Sequence, residues 1–202
     1  METLFMIFVL LALILYIFRI IQVSVKLKQA HVFPLTNEER RTIRKHPQKI
    51  TAPPTVEGQK LGLLANVAFL FFIASMFSIV YITDVFSWHQ YLFMLFFLVY
   101  AYFMLPLNLV AVKQDGILIG TRFLSWKHIH FIKAVAIYKN HKFYGYSSDV
   151  NIGFVVKIKY KFGFTSFVVT SEKTLKQLLK ICQEHVTVED EIHTSESEFK
   201  IK

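Results

Sequence analysis

The sequence predicts a membrane α-helical protein: three transmembrane helices joined to a small α+β cytoplasmic domain, an antiparallel sheet with one C-terminal helix. Three observations predict it. Apolar residues make up 54% of the chain, 21 of them Phe, and they gather in three long runs before Lys113. Past Lys113 hydrophobicity alternates with a period of two, as in strands with one buried face. From Ser171 it changes to the spacing of an amphipathic helix.

The first run, "TLFMIFVLLALILYIF", carries no charge and stays apolar past Arg19 to Val25. That is about 23 residues, or roughly 34 Å at 1.5 Å per residue, against a hydrocarbon core of roughly 30 Å. Glu2 precedes it and no small-residue cleavage site follows, so residues 1–25 read as a permanent anchor and not as a cleaved signal. The second run, Leu61–Val85, and the third, Trp88–Val112, are separated only by "TDVFSWHQ" and must form an antiparallel hairpin over 61–112. The stretch "YLFMLFFLVYAYFML" is apolar all round, which leaves no face for water.

Charge sets the expected orientation. Lys26, Lys28, Arg40, Arg41, Arg44, Lys45, Lys49 and Lys60 lie between the first two runs, whereas the turn at 83–90 holds Asp84 and no Lys or Arg. The positive-inside rule then puts the N-terminus outside, the basic loop 26–60 in the cytoplasm, and everything from Lys113 onward in the cytoplasm. Trp88, Tyr91, Tyr16 and Tyr81 fall near the expected interfaces. The location is a cytoplasmic (inner) membrane, crossed more than once.

Within the loop, "LTNEERRTIRKHP" reads as a short helix over 37–46, with Thr36 and Glu39 as a capping box and Pro47 closing it. Arg40, Arg41, Arg44 and Lys45 there serve either to meet anionic head groups or only to fix topology; the topological role is favoured. "TAPPTVEG" is an extended connector.

The domain spans 113–186. "NLVAVKQDGILIG" is a hairpin about Asp-Gly, "RFLSW" continues it, and "HIHFIKAVAIYK" is a further strand. In "NIGFVVKIKYK" the residues Ile152, Phe154, Val156, Ile158 and Tyr160 face a core. Gly153, Val155, Lys157, Lys159 and Lys161 face water. "FTSFVVT" is the last strand. In "SEKTLKQLLKICQEHV", Ser171 caps a helix whose stripe is Leu175, Leu178, Leu179 and Cys182. Residues 187–202 are a polar tail expected to be disordered.

Val112, Asp115, Gly116, Ile117, Ile119, Phe123, Trp126 and Ile129, following a membrane hairpin, resemble the bacterial pleckstrin-homology-like membrane proteins, the YcxB-like group above all. The likeness runs over residues 61–185; the first span is an addition to the usual two. It implies a PH-like fold without catalytic activity.

Chemistry is sparse. His128 and His130 share a strand face but have no acidic or thiol partner nearby, so they read as polar edge residues and not as metal ligands. Cys182 near His185 belongs to an apolar stripe, where cysteine packs. A single cysteine excludes an internal disulfide. Asn66 suits an interhelical hydrogen bond. No catalytic residue, metal or cofactor is expected. Lys157, Lys159 and Lys161, with Lys139 and Lys142, form the candidate binding face. It is either solvated edge protection or a surface for the anionic inner leaflet or an acidic partner. The chain reads as a regulatory or protective subunit that binds anionic lipid or another membrane protein or complex. An accessory transporter subunit and an immunity protein against a membrane-active peptide are the alternatives. Nucleic acid is not expected.

Overall fold

A computed structural model describes residues 2–83, 88–104 and 107–190. The chain divides into two compact units, one of residues 1–28 with 55–107, the other of 29–54 with 108–202.

The first unit is helical: α1 (Glu2–Lys28), α3 (Lys60–Thr83) and α4 (Trp88–Met104), each packed on the other two. Its interior is small, built on Val9, Leu13, Ile73, Met94 and Leu98. Tyr16 donates to Asn66 Oδ1 at 2.7 Å, the interhelical hydrogen bond that Asn66 was expected to make. The outward faces are the apolar ones: Phe8, Ile14, Phe18, Phe71, Phe93 and Phe96 are at least half exposed. Two helices are long and apolar enough to cross a membrane, α1 over Met6–Lys28 and α3 over Lys60–Ile79. The helix α4 is shorter, at 17 residues. The third run does not remain helical to Val112, because Val110–Lys113 pair as a strand with Gly116–Ile119. Asp84 and the middle of its turn lie outside the described residues.

In the second unit β2 (Val110–Lys113), β3 (Gly116–Ile119) and β4 (Arg122–Ser125) form an antiparallel meander around the Asp-Gly turn. Gly116 is required there by a close approach: a Cβ would collide with the backbone of Leu124 and Ser125 on β4. A second sheet has the order β1-β7-β6-β5-β8, with β5 (Ile129–Ala136), β6 (Phe154–Tyr160) and β7 (Gly163–Val169) as its centre and β1 (Ile43–Arg44) and β8 (Thr187–Asp190) at its edges. One core joins both sheets to α6 (Glu172–Gln183). Val112, Ile117 and Leu124 come from the first sheet, Ile132, Ile158 and Phe167 from the second, and Leu175, Leu178, Leu179 and Cys182 from the helix. Ser171 Oγ accepts from Thr174 N–H and caps α6 as its sequence indicates.

Five expectations need correction. The sheet is not single and antiparallel: there are two sheets, and β5 runs parallel to β8. The loop helix α2 keeps its capping box but spans Asn37–Thr42, not 37–46. From Ile43 the backbone becomes β1 (Ile43–Arg44), hydrogen-bonded to the edge of β7, and Ile43 enters the core. Residues 32 and 33 also bond to Val112. Part of the loop 26–60, read as lying outside the domain 113–186, therefore belongs to it. At the other edge Thr187–Asp190, expected to be disordered tail, is β8 beside β5, with Val188 packed on the core. The unpaired backbone of β5 offers it partners that water would otherwise supply. Residues 191–202 lie outside the described residues. Finally, Ile152 does not face the core. It follows the short helix α5 (Ser148–Asn151), is 77% exposed, and precedes β6.

Arg44 fastens β1 to the segment around α5. Its guanidinium donates to Pro47 O (3.1 Å), Ser147 Oγ (3.2 Å) and Asp149 Oδ2 (3.1 Å), with the Arg44 side chain only 11% exposed. Asp149 stands in water at 65% exposure and tolerates losing its partner, so the cost of removing the arginine is that of charged hydrogen bonds and not of a stranded buried ion. Arg44→Met is expected to lower unfolding stability by about 2 kcal/mol. Arg41→Met, at an exposed position, should change it by under about 0.5 kcal/mol. Denaturant unfolding of the full chain in detergent, followed by Trp fluorescence, measures both.

Candidate functional site

The outer face of the five-stranded sheet is divided in two. At one end the excursion between β5 and β6 folds back, and Ile137, Val150 and Phe143 cover Val155 and Val168 in a second small core. That is why Val155, placed by alternation on the wet face, is fully buried. Toward the other end the same excursion overhangs without covering, and a groove of about 580 Å³ opens between it and the sheet.

Strand register builds the groove floor in two rows. Lys133 on β5 lies directly opposite Lys157 on β6, which lies opposite Ser166 on β7. In the next row Phe131, Lys159 and Phe164 stand side by side. Asn140, His141 and Lys142 from the excursion form the wall. The result is an apolar floor of Phe131, Val155 and Phe164 with four ammonium groups and an imidazole around it.

The charges are poorly compensated. Lysines directly opposite each other on adjacent strands repel. Glu189 on β8 reaches Lys133 at 3.9 Å, and both partners are partly in water. Among the described residues no carboxylate pairs with Lys142, Lys157 or Lys159; instead the Lys142 Nζ lies 4.8 Å from the Phe143 ring centre and the Lys159 Nζ 5.8 Å from that of Phe164. His141 is held below the ordinary histidine range by burial first, then by Lys157 and Lys142. Its Nδ1 accepts from Phe143 N–H at 3.1 Å, so the neutral ring carries its proton on Nε2 as a further donor. Such a site offers hydrogen-bond donors and positive charge.

The structure gathers Lys142, Lys157 and Lys159 and adds Lys133 and His141. Lys133 was legible in part: it alternates with Ile132 and Ala134, but only the register sets it against Lys157. Lys139 is exposed on the excursion outside the groove, and Lys161 lies past the end of β6. The loop residues stand elsewhere. Arg40 donates to Thr51 O at 2.8 Å, Arg41 is exposed, and Arg44 is buried against Asp149. Lys45 reaches Ser166 O at 3.3 Å, with its pKa lowered by burial and then by Arg122.

The Cys182 candidate resolves into packing. Burial pushes the Cys182 thiol up to about 12, which keeps it protonated, and the His185 ring stacks on Trp126 at 4.6 Å. His128 sits in the 3₁₀ turn Trp126–His128 and His130 at a bulge of β5, both exposed. Among the described residues no three His, Cys, Asp or Glu side chains are grouped to hold a metal. Compared with protein-family models, curated proteins and solved structures, the chain has no match.

Proposed function

We propose that the chain is a non-catalytic integral membrane protein whose cytoplasmic domain binds anionic lipid head groups in the basic groove and so regulates or protects a neighbouring membrane complex. The observation that carries it is the convergence of Lys133, Lys142, Lys157 and Lys159 on one concave face, where β5, β6 and the excursion meet. Near an anionic leaflet each lysine contributes about 1 kcal/mol. Outward apolar faces on α1, α3 and α4 support three crossings, since lipid and not water suits them. The basic residues of 26–60 favour a cytoplasmic domain. The chain runs from the end of α4 at Met104 to β2 at Val110, so the domain stays tethered close to the bilayer. An accessory transporter subunit or an immunity protein would use the same groove on an acidic partner.

Titration of the full chain in detergent with a monomeric short-chain phosphatidylglycerol tests this by calorimetry. Saturable binding is expected, with none to the short-chain phosphatidylcholine. Equal binding of the two lipids would remove head-group charge as the determinant.

The groove also gives the interaction a pH dependence. His141 has a pKa below its free value, so it is neutral in the empty groove at pH 7. A bound anion offsets Lys142 and Lys157 and raises that pKa, so binding takes up a proton. Affinity is therefore expected to rise as pH falls through the raised pKa of the occupied groove and to level off below the depressed pKa of the empty one. His141→Asn keeps an acceptor for Phe143 N–H and should flatten the dependence in the same titration.

A further inference from the structure

We infer that the end of the β6–β7 hairpin is a wedge that enters an anionic bilayer, seating Phe162 below the phosphate level; this rests on the head-group reading above. Phe162 is 85% exposed and Phe164 77%, the two most exposed aromatic side chains among the described residues of the second unit. They flank Gly163, the first residue of β7, whose φ of 155° lies within the range that favours glycine.

Their surroundings identify the partner. Lys161 Nζ lies 5.4 Å from the Phe162 ring centre, and Lys159 Nζ lies beside Phe164. Lys161 N–H donates to His128 O at 3.1 Å, which brings the exposed Lys127, His128 and His130 to the same end of the sheet. No acidic residue occurs in 126–133 or 157–169. An aromatic tip inside a cationic collar matches the bilayer interface, where rings sit under head groups and ammonium groups stay at the phosphates.

The hairpin is also braced. Ile129 pairs with Tyr160, and Arg122 Nη1 donates to Tyr160 Oη at 2.7 Å from the first sheet. The turn Lys161–Phe162 follows the Tyr160–Gly163 pair, so at about 3.3 Å per residue Phe162 lies roughly 7 Å beyond Lys159 along the strand, which suits rings entering the acyl boundary while the groove meets the phosphates. Phe164 lines the groove, so tip and groove form one surface. A protein partner would need its own apolar pocket and acidic rim; a bilayer carrying phosphatidylglycerol supplies both.

The test uses the full chain with a nitroxide at Phe162→Cys, in nanodiscs of phosphatidylcholine with or without phosphatidylglycerol. Cys182, buried and protonated, does not take the label. Collision with aqueous nickel chelate should fall severalfold at position 162 when phosphatidylglycerol is present, while a label at the exposed Lys180→Cys stays aqueous. A second label at His130→Cys should read head-group depth with Phe162 intact and water after Phe162→Ser. Position 162 remaining as aqueous as position 180 in the anionic discs overturns the wedge. Because Phe162 does not line the groove, short-chain phosphatidylglycerol should bind Phe162→Ser undiminished. A dry groove titration with an aqueous tip would remove both proposals, and binding with an aqueous tip only the wedge.

Discussion

Ile43→Ala is expected to destabilise the second unit by about 2–5 kcal/mol, the range for truncating a fully buried isoleucine. Ile43 has no exposed surface, pairs with Val169 across the β1–β7 ladder and belongs to the core shared by both sheets and α6. Its carbonyl also accepts from Thr51 N–H at 3.1 Å and from Thr51 Oγ1, so the neighbouring backbone is ordered around it. Truncation leaves a void that β1, held by Arg44, cannot close cheaply. Leu35→Ala, three-quarters exposed in the same loop, should stay within about 0.5 kcal/mol. The difference is read from denaturant midpoints of the full chain in one detergent. If the two substitutions cost the same, the loop between α1 and α3 is a linker and not a strand of the domain. A fragment beginning at residue 113 would lose β1 and should not be used in its place.

Charge reversal of the groove, Lys157→Glu with Lys159→Glu, is the second large effect, and it separates binding from stability. Removing two lysines from an anionic surface costs about 2 kcal/mol, or roughly thirtyfold in Kd, and the added carboxylates increase the loss. Stability should move the other way. Lys157 opposes Lys133 across the ladder, and replacing that like-charge pair with an opposite one contributes roughly 0.2–1 kcal/mol. The expected variant is therefore at least as stable as the parent and almost without affinity for short-chain phosphatidylglycerol. Retained affinity would exclude the groove as the site. High salt should weaken the parent's binding in the same direction.

The loop illustrates how a correct local reading misses a tertiary role. Thr36 and Glu39 announce a helix start through hydrogen bonds that span three residues, and both bonds form. What stops that helix at Thr42 is β7, more than 120 residues along the chain, and no local pattern encodes it. The basic loop residues have the same ambiguity. Their number biases topology, while Arg40, Arg44 and Lys45 each also make a hydrogen bond that only the folded unit provides. Alternation in β6 correctly put Lys157 and Lys159 on an outer face. It failed at Val155, because the β5–β6 excursion returns over that end of the sheet.

By itself the sequence determined the apolar runs, the Asp-Gly hairpin, the caps of α2 and α6, the buried stripe of α6 and the basic outer face of β6. These are set by neighbours within a few residues, through backbone hydrogen bonding and the periods of helix and strand. Only the tertiary structure decided that β1 and β8 complete the second sheet, that Lys133 stands against Lys157, and that an overhang turns a lysine stripe into a groove. Each of those depends on segments far apart in the chain meeting at one edge or face. The free energy that selects such meetings is core burial shared among all the elements, and no single window of sequence contains it.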